Sequence, residues 1–167
     1  VIDTLNNLIA SGDRITEIQA VLSGSLNFIF NHFDADHSFY EVVKQAGVEG
    51  YTEPDPRIDL SGVDVMRKIL ILMRESGIQC ELEDIENDSF LPKASLEAGS
   101  VADFMETLKS EADHFEGLRE EAEKLNCRLK YVASFKKGDA KVGLQHISKD
   151  HPFYNLDGKD NIVLFYT

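Results

Sequence analysis

The sequence predicts a two-layer α/β (α+β) domain, with helices packed on one face of a mixed β-sheet. Three observations carry this expectation. Apolar residues at helical spacing dominate the chain before Cys127. Two strand-like runs joined by a turn signal, then a last run at the end, place most strands late. One early strand stands among the helices, and helices grouped apart from strands suit a helical layer on a single sheet.

Element by element, Ile2, Leu5, Leu8 and Ile9 share one helical face that ends at Ser11-Gly12. "RITEIQAVLSG" is β-branched and loosely alternating, and reads as a strand. "SLNFIFNHF" is compact and aromatic and reads as a buried helix capped at Gly24-Ser25. "SFYEVVKQAG" is a short helix capped by Ser38 and stopped by Gly47. After the stretch "GYTEPDPRIDLSGVDVMRK", a helix runs from Gly62 to about Ser76, ended by Gly77. "VADFMETLKS" and "ADHFEGLREEAEKLN" are helical. In the second of these Phe115, Leu118, Ala122 and Leu125 form the apolar stripe, and Glu111, Glu116, Glu120, Glu121 and Glu123 the solvated face. "CRLKYVASF" and "AKVGLQHIS" flank "KKGD", a hairpin signal, and "NIVLFYT" is the last strand. No repeat, low-complexity tract or internal linker interrupts the chain.

With 167 residues the chain can bury one real core. Its 30 acids against 17 bases, net charge −13, argue against nucleic acid and against an anionic membrane surface as partners. The apolar run Ile69–Met73 is far too short to span a bilayer. The first residues, "VIDTLNNLIASGD", lack the basic flank and apolar core of a signal peptide. Cys80 and Cys127 form no C-x-x-C pattern and read as free thiols in a reducing, cytoplasmic compartment.

Chemistry concentrates in residues 50–68. Two of the four prolines fall in "EPDP", where they fix φ and push Glu53 and Asp55 toward extended geometry. A plain reading is available: Ser61 caps the next helix, and Asp64 and Lys68, four apart, make a surface ion pair of about 0.3–0.5 kcal/mol. A second reading notes that "ILILM" wraps that helix with apolar residues, which places Lys68 at the edge of a cleft. A stiff loop presenting Glu53 and Asp59 beside one lysine suits a zwitterionic substrate: carboxylates hold its amino group, and a partly buried lysine can pass a proton. A calcium loop is excluded, since Ile58 stands where glycine is needed and Arg57 at a ligand position. His32, His37, His114, His146 and His151 give no H-x-x-x-H zinc pair. No metal site is expected, and no G-x-S-x-G, phosphate loop or G-x-G-x-x-G occurs.

"VLSGSLNFIF", followed about 25 residues later by "GYTEPDPRIDLSGVDVMRKILILMRESG", resembles the catalytic domain of homoserine dehydrogenase, and most of all the dehydrogenase half of bifunctional aspartokinase/homoserine dehydrogenases. The resemblance covers residues 1–167, with Ile58 standing where relatives often carry a small or acidic residue. It implies the interconversion of L-homoserine and L-aspartate 4-semialdehyde with NAD or NADP, in threonine and methionine biosynthesis. It implies Lys68 as the proton-transferring residue and Asp64 as its partner acid. Glu53 and Asp59 would bind the substrate's amino group, with Tyr51 and Thr52 at the pocket wall and Ser25 as a further contact. It implies a homodimer. It also implies that residues 1–167 are the substrate-binding and dimerisation domain excised from a longer chain, inactive alone. The Rossmann-type domain that would bind NAD(P), and the monovalent-cation site of some members, would lie outside it. The competing class is a non-catalytic amino-acid-binding or dimerisation module that retains the loop; it has no need of Lys68.

Overall fold

The computed structural model describes all of residues 1–167. Eight α-helices and five strands occur in the order α1 (Ile2–Ala10), β1 (Glu17–Val21), α2 (Gly24–His32), α3 (Phe39–Val48), α4 (Pro56–Leu60), α5 (Val63–Glu75), β2 (Ile85–Asp88), α6 (Lys93–Leu96), α7 (Val101–Ser110), α8 (Ala112–Lys124), β3 (Arg128–Lys136), β4 (Asp139–Ile147) and β5 (Ile162–Tyr166). The strands form one mixed sheet in the order β2-β4-β3-β1-β5. Only the β2–β4 pairing is parallel; β3 pairs antiparallel with β4 and β1, and β1 with β5. The expected architecture is therefore observed.

Local chemistry explains the well-read elements. Ser38 and Glu41 form a reciprocal capping box: the Glu41 N–H donates to Ser38 Oγ (3.2 Å) and the Ser38 N–H to the Glu41 carboxylate (2.8 Å). The β3–β4 hairpin turns through Lys137 and Gly138, both at positive φ, the geometry whose twist matches the strands. Alternation along the sheet sends Ile18, Ala20, Leu129, Tyr131, Ala133, Phe135, Ala140 and Val142 into the main core with the helices. There Phe39 stacks on Phe115 with ring centroids 4.2 Å apart.

Several expectations shift. The α2 cap is Ser23, not Gly24-Ser25: its Oγ accepts from the Leu26 N–H at 3.2 Å. Helix α3 runs through Gly47, and the chain turns at Gly50, whose φ of +77° is the conformation that favours glycine. Residues 56–60 are a helical turn, α4, with Pro56 at its start and Asp55 as cap. Ser61 ends α4 instead of capping α5; Gly62 takes the N-cap of α5 at φ +77°. Ile71 is 53% exposed, so α5 is not apolar-buried all round. Leu125 lies past the end of α8 and is 57% exposed, outside the expected stripe. On the same helix Glu116 and Glu123 bracket Arg119 at 2.8 and 2.5 Å.

The sheet face away from the helices is partly covered. The segment 148–160 folds over it and seats Phe153 against Val21, Val132 and Ile147.

Candidate functional site

The early strand delivers the first part of the site. β1 ends at Val21, and the chain passes through Leu22 and Ser23 into α2, putting Ser25 in that helix's first turn. Ser25 Oγ donates to Asp59 Oδ1 at 2.8 Å, and the Glu53 N–H donates to Asp59 Oδ2 at 2.9 Å. Both oxygens of Asp59 are thus engaged, and its carboxylate ties α4 to α2 and to the 50s loop. The Glu53 carboxylate lies at the exposed rim with no protein partner.

Across the cavity, α5 begins at Val63, and a spacing of four residues puts Asp64 and Lys68 on one face. Lys68 Nζ lies 3.0 Å from Asp64 Oδ2 and donates to the Leu22 carbonyl at 3.0 Å. The pair itself is open to solvent, with 45% and 58% of the two side chains exposed, as the plain reading expected. The bond to Leu22, forty-six residues away in sequence, is what that reading lacked: it fixes the ammonium at the mouth of β1.

These parts enclose a cavity of about 680 Å³ lined by Ser23, Ser25, Tyr51, Glu53, Asp59, Asp64, Arg67, Lys68 and Lys159 among others. Six expected residues, Lys68, Asp64, Glu53, Asp59, Tyr51 and Ser25, meet there. Thr52 does not: it lines a separate apolar depression with Val43, Gly47, Val48 and Met105, because its side chain is turned toward α3. Asp55 is withdrawn as well, held at 2.7 Å by Arg57, whose guanidinium lowers that carboxyl below the usual carboxylate range and also bonds the Ala98 carbonyl. Ser23, Arg67 and Lys159 were not anticipated. Ser23 carries a readable signal, a serine three residues ahead of Leu26; Lys159 carries none.

The turn at the cavity is not of the kind that cradles a dinucleotide. The β1–α2 turn is the one strand-to-helix turn at the cavity, and β1 is antiparallel to both neighbours, unlike the parallel unit that cradles a pyrophosphate. Gly24 in that turn serves internal packing, since a Cβ there would sit 2.9 Å from the Lys159 carbonyl oxygen. No three His, Cys, Asp or Glu side chains converge in a metal-holding group, and no helix is long and apolar enough to cross a membrane.

Fold and cavity define the class: a two-layer α/β domain whose polar cleft sets three carboxylates against an anchored lysine. The family follows from comparison. The family model "Homoserine dehydrogenase" matches residues 1–167, and the chain belongs to that family. It is 44% identical over 171 residues to "Bifunctional aspartokinase/homoserine dehydrogenase 1, chloroplastic" of Arabidopsis thaliana, covering 100% of this chain and 19% of the relative. It is 40% identical over 178 residues to "Homoserine dehydrogenase" of Paracoccidioides brasiliensis, covering 100% of this chain and 48% of that protein. The chain thus spans about a fifth of the plant relative and about half of the fungal one. Among solved structures, a Candida auris protein of unknown function superposes with a TM-score of 0.92 at 35% identity, over 99% of this chain and 48% of that one. The homoserine dehydrogenase of Thiobacillus denitrificans superposes at 0.73 and 24% identity, over 98% and 34% of the two chains, a likeness of fold.

Proposed function

We propose that residues 1–167 form the substrate-binding and catalytic domain of a longer enzyme that interconverts L-homoserine and L-aspartate 4-semialdehyde with NAD or NADP, a reaction of threonine and methionine biosynthesis. The observation that carries this reading is the Lys68 ammonium, fixed between Asp64 and Leu22 O in the same cavity as Glu53 and Asp59. In this reading Glu53 and Asp59 hold the substrate's ammonium, with Ser25 keeping the Asp59 carboxylate aimed. Tyr51 supplies an apolar wall for the methylene chain. The reacting oxygen lies at Lys68, whose neutral amine takes its proton when homoserine is oxidised and whose ammonium returns it in the reverse reaction; Asp64 orients the lysine. The nicotinamide cofactor is held mainly by residues outside this chain. The two partners in a homodimer meet through the sheet, whose face away from the helices is covered only in part by segment 148–160.

The reading is tested by assaying the longer enzyme for homoserine-dependent reduction of NAD(P). The Glu53→Gln variant should raise the KM for homoserine by about 10–100-fold, the loss of one charge-assisted hydrogen bond. Absence of homoserine oxidation by the unaltered enzyme would sink the reading. A second reading, a non-catalytic binding module, has no structural observation in its favour, because it leaves the anchoring of Lys68 unused.

A further inference from the structure

Lys130, the third residue of β3, is fully buried, yet no carboxylate pairs with it. A buried ammonium without compensation is costly. Its three donors find three oxygens: Asn31 Oδ1 at 2.6 Å, Asn27 Oδ1 at 3.1 Å and the Leu156 carbonyl at 2.5 Å. The two asparagines, four residues apart on α2, turn their amide nitrogens outward. Asn31 donates to the carbonyls of Leu156 (3.1 Å) and Gly158 (3.0 Å), and Asn27 to that of Asp160 (3.1 Å). Alternate carbonyls of the 156–160 loop are therefore clamped onto the helix that carries Ser25.

Lys159 is the residue this clamp presents. Its carbonyl packs where only glycine at position 24 leaves room. Its side chain lines the cavity, with Nζ 5.1 Å from the Tyr51 ring centroid and no carboxylate partner. An amino-acid substrate brings a carboxylate on the same carbon as its ammonium. Placed among Glu53, Asp59 and Asp64 without a cation, that carboxylate would meet like-charge repulsion from each of them. Of the cavity's cations, Lys68 is bound to Asp64 and Leu22, and Arg67 adjoins it in sequence on the same helix. Lys159 stands instead beside Gly24 and Tyr51, next to the residues that would hold the ammonium.

We propose that Lys159 is the cation that receives the substrate's α-carboxylate, and that Lys130, Asn27 and Asn31 are positioning residues that hold it in place. The proposal rests on the reading that this cavity takes homoserine.

In the longer enzyme, Lys159→Met should raise the KM for homoserine by about 10–100-fold, the loss of one charge-assisted hydrogen bond. kcat should stay within a few-fold and the KM for NAD(P) should not move. The preference for homoserine over its carboxamide should collapse. Lys130→Met should raise the same KM, Lys130→Arg should recover part of the loss, and the double variant should be no worse than Lys159→Met alone, the signature of one coupled unit. If Lys130→Met does not fold, Asn31→Ala removes one acceptor and supplies the same comparison. A homoserine KM unchanged in Lys159→Met overturns the proposal while leaving the enzyme reading intact. So does a rise confined to the cofactor KM, which assigns the lysine to a cofactor phosphate, or the same loss of carboxylate preference in Arg67→Met alone. Strictly additive effects at positions 130 and 159 overturn the clamp. An unaltered enzyme inactive on homoserine overturns both readings together.

Discussion

Replacing Lys68 by methionine keeps the unbranched apolar stem of the side chain and removes its ammonium. Two contacts go with it, the 3.0 Å approach to Asp64 Oδ2 and the 3.0 Å bond to the Leu22 carbonyl. The structural cost is small. The pair is about half exposed on both sides, a setting in which ion pairs contribute about 0.2–1 kcal/mol. The freed Leu22 carbonyl loses one further bond of about 1 kcal/mol before water replaces it. Together these lower the melting temperature by only a few degrees, at roughly 2–4 °C per kcal/mol for a protein of this size. The chemical cost is larger. Loss of a positioned acid–base group typically slows turnover by about 10²–10⁴-fold, which is about 3–5 kcal/mol of barrier. Steady-state homoserine oxidation by the Lys68→Met enzyme, with a thermal melt beside it, separates the two. The expected result is turnover down by about two orders of magnitude or more, cofactor KM unchanged and a nearly normal melt. Turnover within about threefold of the unaltered enzyme, far below the acid–base range, would refute the reasoning and leave Asp64 and Lys68 as a helix-surface pair.

Other outcomes follow from the packing. Tyr131 is 2% exposed and its hydroxyl has no hydrogen-bond partner; burial, then Asp88, push its pKa up to about 12. Tyr131→Phe should therefore raise the melting temperature, because an unsatisfied buried group costs about 1–3 kcal/mol; a clear drop would show that the hydroxyl is satisfied. Gly62→Ala should destabilise by about 2 kcal/mol or more, since its φ is +77° and a Cβ would overlap the Tyr131 hydroxyl; denaturant unfolding measures this, and a loss below about 0.5 kcal/mol, the scale of an ordinary surface substitution, would contradict it. Burial and the nearby Arg128 lower the Lys130 ammonium from its ordinary 10.5 to about 8, with Asp157 opposing. Between those values the unfolded chain binds more protons than the folded one, so this group's contribution to stability rises with pH over that window and is least favourable below about 8. Relative to Lys130→Met, the unaltered protein should gain stability from pH 8 toward pH 10 in urea titrations, and a flat difference would count against a depressed lysine. The 167-residue chain alone should sediment as a dimer at tens of micromolar concentration and show no micromolar binding of NADPH by calorimetry; a clean monomer or a measurable cofactor affinity would each overturn its part.

The features readable from sequence are those set within a turn or two of chain. Ser38 and Glu41 cap α3 because a capping box spans only three residues of local helix geometry. Lys137-Gly138 turns the hairpin with Gly138 supplying the positive φ that glycine adopts freely. The Asp64–Lys68 pair follows from the pitch of α5. The family resemblance, resting on residues 21–30 and 50–77, named seven residues, of which six line the cavity and Thr52 does not. Tertiary structure decided the rest. β2 was unreadable because only Ile85 of "IEND" is buried, so no period-two pattern exists; its pairing with β4, more than fifty residues later, makes it a strand. Thr52 sits in the loop of the site and turns away from it, a rotation that sequence spacing does not encode. Lys130 reads as one of several solvated lysines and is fully buried, because segment 148–160 folds back over β3. Lys159 enters the cavity by the same fold-back, 134 residues from Ser25 in sequence, and no periodic pattern extends across such a separation. Spacing along the chain reports which side chains share a helix face or strand face; which faces and loops meet is settled by burial of the common core, and the cavity lies where they meet.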